Sequence, residues 1–214
     1  MTRFRHTAAL LLGALLLPVS LSAASQEAEA ALTRFVERVE TLSADFTQIE
    51  RDDTGTVLQE STGRFWLQRP GRFRWEVQAP FAQVVVADGE TLWHYDPDLA
   101  QATRRPAAPA LAGTPAELLA EGAGLRERFA IENAEPEALP DGVAAVRLVP
   151  DSDQSDFRSV LLHLRDGVPE ALFFEDRIGG RTEVRFSAVT VNEAIAESRL
   201  RFTPPEGTEV VALE

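Results

Sequence analysis

The side chains in this chain that could do chemistry are few in kind. Beyond the first 24 residues there are two histidines, His94 and His163, far apart in sequence and on segments that read as separate strands. Cysteine is absent, which removes thiolate nucleophiles, thiolate metal ligands and disulfides together. The chain has 34 acidic residues, so neighbouring carboxylates arise by crowding and mark no site. The nearest approach to a metal loop is Asp151-Ser152-Asp153-Gln154-Ser155-Asp156. A calcium loop of the EF-hand type needs Gly at position six and Glu at position twelve, where this chain has Asp156 and Leu162, so the string reads as a solvated hairpin loop. There is no H-E-x-x-H, no G-x-S-x-G, no phosphate-cradling glycine loop and no dinucleotide fingerprint. We therefore assign no catalytic residue, no metal and no cofactor, and expect a protein that is not an enzyme.

The informative residues are aromatic and cationic. Every Trp and the only Tyr lie between Gly63 and Gln101. Arg69-Pro70-Gly71-Arg72 reads as a type II turn, with Pro presetting φ and Gly permitting φ > 0. Beyond it Phe73, Trp75 and Val77 alternate with Arg72, Arg74 and Glu76, the period of a half-buried strand. The same alternation sets Phe65 and Leu67, Val184 and Phe186, and Leu200 and Phe202 on one face, opposite Arg64, Glu183, Arg185, Arg199 and Arg201.

One amphipathic helix precedes the strands. Leu32, Phe35, Val36, Val39 and Leu42 recur at helical spacing, with Arg34, Glu37, Arg38 and Glu40 on the other side. Turn signals at Asp53-Thr54-Gly55, Asp88-Gly89, Asp141-Gly142, Asp166-Gly167 and Gly179-Gly180 then separate alternating segments. These predict strands over 43–51, 56–68, 72–77, 81–87, 90–95, 98–104, 128–134, 143–149, 157–165, 168–175, 181–190 and 198–203. Eleven or twelve antiparallel strands imply a large, strongly curved sheet or barrel. The stretch from Arg105 to Gly113, with Pro106 and Pro109, interrupts it. Thr114-Pro115-Ala116-Glu117 then reads as a capped helix start, Leu118 and Leu119 as its apolar side, and Gly122 and Gly124 as its end. An ordinary connection or a lid over the sheet both fit this insert.

Arg3 and Arg5 ahead of an apolar run from Ala8 to about Leu17, followed by Ser22-Ala23-Ala24, have the layout of a cleaved secretory signal. We expect residues 1–24 to be that signal and 25–214 to be one domain. All 21 basic residues are Arg, and removing a leader that holds two of them and no acid takes the net charge from −13 to −15. Such a polyanion is repelled by nucleic acid phosphates and anionic head groups, so neither nucleic acid binding nor stable membrane insertion is expected. Solubility or a salty habitat accounts for the acidity equally well.

A sheet with one apolar face must cover it. Two small helices cannot fill the concavity of twelve strands, and the remainder is a candidate pocket for an apolar ligand. Its expected lining is Phe46, Phe65, Leu67, Phe73, Trp75, Val84, Val86, Val184, Phe186, Leu200 and Phe202.

The order of several short strings carries a resemblance. Asp45-Phe46-Thr47-Gln48, the run from Arg69 to Glu76 and the run from Asp88 to Gln101 come first. Gly113-Thr114-Pro115 with Leu118-Leu119, the spacing of Asp176, Gly179 and Thr182, and Phe202-Thr203-Pro204-Pro205-Glu206-Gly207 follow. Together they resemble the LolA family of periplasmic lipoprotein carriers across essentially the whole chain after the leader. The resemblance implies an incomplete β-barrel under a helical lid, with lipoprotein acyl chains held between them. It implies that Arg69 bonds to the lid formed around Leu118 and Leu119. It implies that Phe73 matters in accepting cargo from an inner-membrane lipoprotein-releasing ABC transporter. Delivery would be to the outer-membrane receptor LolB, by a monomeric carrier. A lipid-binding or lipoprotein-sensing periplasmic module of the same fold, as in an anti-sigma-factor regulator, is the alternative. The chain departs from the family by ending at Glu214, soon after Thr203-Pro204-Pro205, where some relatives add a final strand or loop.

Overall fold

The computed structural model describes residues 20–108, 115–120, 122, 124–134, 139–151, 155 and 157–213. Helix α1 spans Ser20–Arg38 and enters the sheet directly. Strands β1 (Thr41–Arg51), β2 (Val57–Gln68), β3 (Arg72–Ala79), β4 (Gln83–Asp88), β5 (Thr91–Asp96) and β6 (Gln101–Pro106) follow as a meander. Helices α2 (Pro115–Ala120) and α3 (Leu125–Arg128) form the insert. A second meander runs through β7 (Phe129–Asn133), β8 (Val143–Pro150), β9 (Phe157–Arg165), β10 (Val168–Asp176) and β11 (Arg181–Val191). After a 3-10 turn over Glu197–Arg199, β12 (Glu209–Ala212) closes the chain.

All twelve strands belong to one sheet, ordered β12-β6-β5-β4-β3-β2-β1-β11-β10-β9-β8-β7. The two meanders meet where β1 pairs with β11, Phe46 lying opposite Phe186. The edges β12 and β7 are not partners, so the curled sheet is an incomplete barrel. Eleven of the expected strands are present within a few residues of their expected bounds.

Three expectations are corrected. Leu42 belongs to β1 and not to the helix, because α1 ends at Arg38. Residues 198–203 form no strand; Pro204 and Pro205 follow there, and neither can donate a ladder hydrogen bond. The short C-terminus does add a final strand, β12, and it runs parallel to β6, with Val210 opposite Ala102. The expected helix cap at Thr114 and most of the 151–156 loop lie outside the described residues, as does the leader before Ser20. The turn at Pro70 has Gly71 at φ 67°, as expected, with a cis Arg69–Pro70 bond.

One glycine shapes the concave face. A Cβ on Gly63 would collide with the Glu76 carbonyl oxygen and sit 2.6 Å from Cζ of Phe46. The missing side chain lets the Phe46 ring lie across β2 and stack on Trp75, with centroids 4.0 Å apart. Gly63→Ala should therefore destabilise the fold by about 1–3 kcal/mol through overpacking. The check is a lower urea midpoint together with altered tryptophan emission as the Phe46–Trp75 stack is displaced.

Candidate functional site

Strand polarity divides the barrel into two ends. The β2–β3, β4–β5 and β9–β10 turns lie at one end, beside the junction of α1 with β1. The β1–β2, β3–β4, β5–β6 and β10–β11 turns lie at the other.

At the first end Arg69 ties three elements together. Its Nη1 donates to the carbonyl oxygens of Phe35 at 2.8 Å, Val36 at 3.1 Å and Val39 at 2.8 Å, and its Nε donates to that of Leu119 at 3.2 Å. These carbonyls lie at the C-terminal ends of α1 and α2, where the negative ends of the helix dipoles gather; Phe35 O also accepts the Val39 amide at 3.3 Å, and Val39 lies just past α1. The guanidinium lies over the Phe35 ring, 4.3 Å from its centroid. The Gly71 amide adds a bond to Ala120 O at 3.2 Å, and the Arg69 amide one to Glu40 O at 2.9 Å. Asn192 completes the clamp, donating to Arg38 O at 2.7 Å and accepting from the Glu40 amide at 2.9 Å. Burial pushes the guanidinium down to about 10, which leaves it charged at neutral pH. Its Nη2 is buried without a partner among the described residues. An unmet buried donor costs about 1–3 kcal/mol, so this clamp is strong but not saturated.

The concave face grades from closed to open. Near the clamp Leu42, Leu67, Phe73, Ala87 and Leu92 are buried in one core with Phe35, Val39, Leu118 and Leu119. Helix α1 lies over β8, β9 and β10, and α2 over β2. Farther along the same face Trp75, Val77, Val85, Phe174 and Phe186 pack against that core yet remain half-buried. Phe65 lies 5.2 Å from Trp75 and 5.9 Å from Phe186, centroid to centroid, which makes a continuous aromatic floor with Phe46. Such a surface can shield an apolar chain; among the described residues it has no group placed to break a bond.

Of the expected lining, the structure brings together Phe46, Phe65, Leu67, Phe73, Trp75, Val184 and Phe186. Val84, Val86, Leu200 and Phe202 belong elsewhere. The pairings Val85↔Trp75 and Val86↔Arg74 put Val85 on the concave face and turn Val84 and Val86 to the convex one. There they join Trp66, Trp93 and Tyr95, covered by the C-terminal segment. Phe202 lies 5.4 Å from Trp93 and 5.3 Å from Tyr95, Arg199 stacks 5.0 Å over Trp66, and Arg72 pairs with Glu197 at 2.7 Å. Leu200 is fully buried in that second apolar layer. Sequence reading missed Val85 because Val84-Val85-Val86-Ala87 is a continuous apolar run with no alternation to choose a face. It missed Asn192 because nothing local marks its partner, 154 residues away at Arg38.

Comparison with known proteins bears on this geometry. The profile of the family described as Outer membrane lipoprotein carrier protein LolA matches residues 37–203. An outer-membrane lipoprotein carrier protein of Halorhodospira halophila is 41% identical over 207 residues, covering 96% of this chain and 95% of that one. One of Alkalilimnicola ehrlichii is 40% identical over 204 residues, covering 95% and 91%. Among solved structures, an uncharacterized conserved protein from Thermus thermophilus has the same fold, with a TM-score of 0.55 at 17% identity over 89% of this chain and 99% of that one.

Two outcomes follow from the geometry. Arg69→Leu should free the ends of α1 and α2 while the sheet persists. Amide exchange at Leu118, Leu119 and Ala120 should rise about tenfold or more, as expected for losing over 1.4 kcal/mol of charge-assisted bonding, with strands β3 and β11 still protected. Arg69→Lys should recover part of it. Phe202→Ala should destabilise the fold by about 1–3 kcal/mol, read as a lower urea midpoint, without changing binding of an apolar probe, because Phe202 is on the convex face.

Proposed function

The chain belongs to the LolA family of outer-membrane lipoprotein carrier proteins, and we propose that it ferries lipoproteins across the periplasm with their acyl chains against the half-buried aromatic floor. The observation that carries this reading is the gradient on one apolar face: two helices clamped by Arg69 close one end, while Trp75, Phe174 and Phe186 stay partly open at the other. No helix among the described residues is long and apolar enough to cross a membrane. Residues 1–24 act as the export signal, and residues 25–214 as a single carrier domain. The family is one of carriers and not of enzymes, in keeping with a floor built of aromatic and aliphatic side chains.

Physical chemistry says what the partners must do. Each buried methylene is worth about 0.8 kcal/mol, so two or three acyl chains are held in a bilayer by gross tens of kcal/mol. Non-covalent affinities saturate near about 18–21 kcal/mol, and a carrier must also let go. Loading is therefore driven from outside, by an inner-membrane lipoprotein-releasing ABC transporter, and unloading runs downhill to an outer-membrane receptor of the LolB kind. Arg69 is the latch between α1, α2 and the β2–β3 turn, and Phe73, buried directly beyond that turn, senses its opening. The carrier reading is favoured over a sensor module of the same fold because the relatives that this chain matches over 91% to 95% of their length are outer-membrane lipoprotein carrier proteins.

Mass analysis of protein recovered from periplasm should find acylated lipoprotein bound; recovery free of any acylated species under conditions of lipoprotein export would overturn the reading. An apolar fluorescent probe should bind the purified protein, be displaced by an acylated peptide, and shift tryptophan emission. Trp75 is on the concave face while Trp66 and Trp93 are on the convex one, so Trp75→Phe should abolish the shift and leave binding nearly intact.

A further inference from the structure

The apolar floor ends in a polar lip. Across β10, β11, β1 and β2 the concave residues fall in rows: Leu172, Val184, Gln48 and Ser61, then Phe174, Thr182, Glu50 and Gln59. On β10 the face stays apolar as far as Phe174, before Asp176 at its end. On β1 and β2 it changes abruptly, from Phe46 to Gln48 and Glu50 and from Phe65 to Ser61 and Gln59. These side chains are ordered against one another. Gln48 Nε2 donates to a Glu50 carboxylate oxygen at 2.6 Å, and Gln59 Nε2 to Ser61 Oγ at 3.0 Å. Ser61 is 2% exposed, and Gln48, Glu50 and Gln59 are half-buried. Arg51 and Arg181, the nearest cations in sequence on these strands, alternate onto the other face, where they are paired in register. Asp176, at the end of β10, is occupied by the Ile178 and Gly180 amides of its own turn.

We propose that Gln48, Glu50, Gln59 and Ser61 receive the uncharged linkage between acyl chain and polypeptide, and that the Glu50 carboxylate turns away anionic amphiphiles of the same chain length. The proposal rests on the carrier reading and names what its site selects. The apolar floor cannot make this choice, since a free fatty acid, an anionic phospholipid and an acylated peptide present the same methylenes. Selectivity must come from the junction where the chain leaves the floor. Ester and amide linkages are neutral; an ester carbonyl needs a donor and a secondary amide needs a donor and an acceptor, and Gln48, Gln59 and Ser61 supply both kinds. A carboxylate or phosphate at that junction would instead meet Glu50 in a half-buried setting, where like charges are poorly screened.

The test is displacement of a bound apolar fluorescent probe from the full chain. One competitor is a palmitoylated peptide amide of no net charge; the others are palmitate and palmitoyl lysophosphatidylglycerol, all kept below their micelle concentrations. Wild type should prefer the neutral lipopeptide by about tenfold or more. Glu50→Gln, which keeps shape and hydrogen bonding, should reduce that ratio to about threefold or less by strengthening the anions alone. Glu50→Lys should reduce it further, and the urea midpoint of each variant confirms that it is folded. An unchanged ratio in a folded Glu50→Gln, or equal weakening of all three competitors, overturns the proposal while leaving the carrier reading intact. Failure of wild type to bind the lipopeptide at all would overturn the carrier reading, and this selectivity with it.

Discussion

A single buried cation holds the closed end of this protein together. Arg69 directs four donor contacts to carbonyl groups at the C-terminal ends of α1 and α2 and just past α1, where helix geometry leaves acceptors short of partners. Neither helix could be buried at that end without such a partner, because an orphaned carbonyl out of reach of water is costly. The charge in turn tolerates burial only because two helix C-termini and the Phe35 ring surround it. Each therefore depends on the other. Removing the helices would leave the cation uncovered, and removing the cation would leave the helix ends to find water.

The twelve-stranded sheet has an unusual obligation, since it carries apolar side chains on both faces of its first meander. The concave side is covered by α1, α2 and α3, and the convex side by the segment from Glu193 to Pro205, which carries Leu200 and Phe202 across Trp66, Trp93 and Tyr95. β12 then fastens that segment by pairing with β6. Covering the convex face separately leaves the concave face free to stay partly open. The segment from Glu193 to Pro205 thus contributes to the scaffold from the convex side.

Much of this architecture was legible in the sequence. Turn residues and alternation located eleven strands because those signals are local: Asp-Gly and Gly-Gly pairs set the hairpins, and Phe73, Trp75 and Val77 declare their own face. Legibility failed where the signal was non-local or degenerate. Val84, Val85 and Val86 are equally apolar, and only the register with β3 says which one points inward. Leu200 and Phe202 alternate as a strand would, but the prolines that follow and the cover they give to Trp93 place them in an irregular strap. Leu42 kept the helical spacing of α1 by coincidence; the chain had already turned into β1, where Leu42 pairs opposite Leu67 on the same buried face. Arg69 was singled out through family resemblance, and nothing in its local pattern announces four carbonyl partners drawn from two helices.

Openness and closure at the two ends answer one physical requirement. A pocket that buried acyl chains on all sides would gain so much hydrophobic free energy that release would be slow, and a bare sheet would aggregate. Trp75, Phe174 and Phe186 are half-buried, so part of their hydrophobic surface remains available to an apolar ligand. The fully buried residues beside the clamp have no such reserve unless the helices move. Under the proposed function, shallow occupancy of the open floor and deeper occupancy beside the helices would differ in strength on one continuous surface. On that same reading, a partner that biased the Arg69 clamp would shift cargo between them without breaking or making a covalent bond.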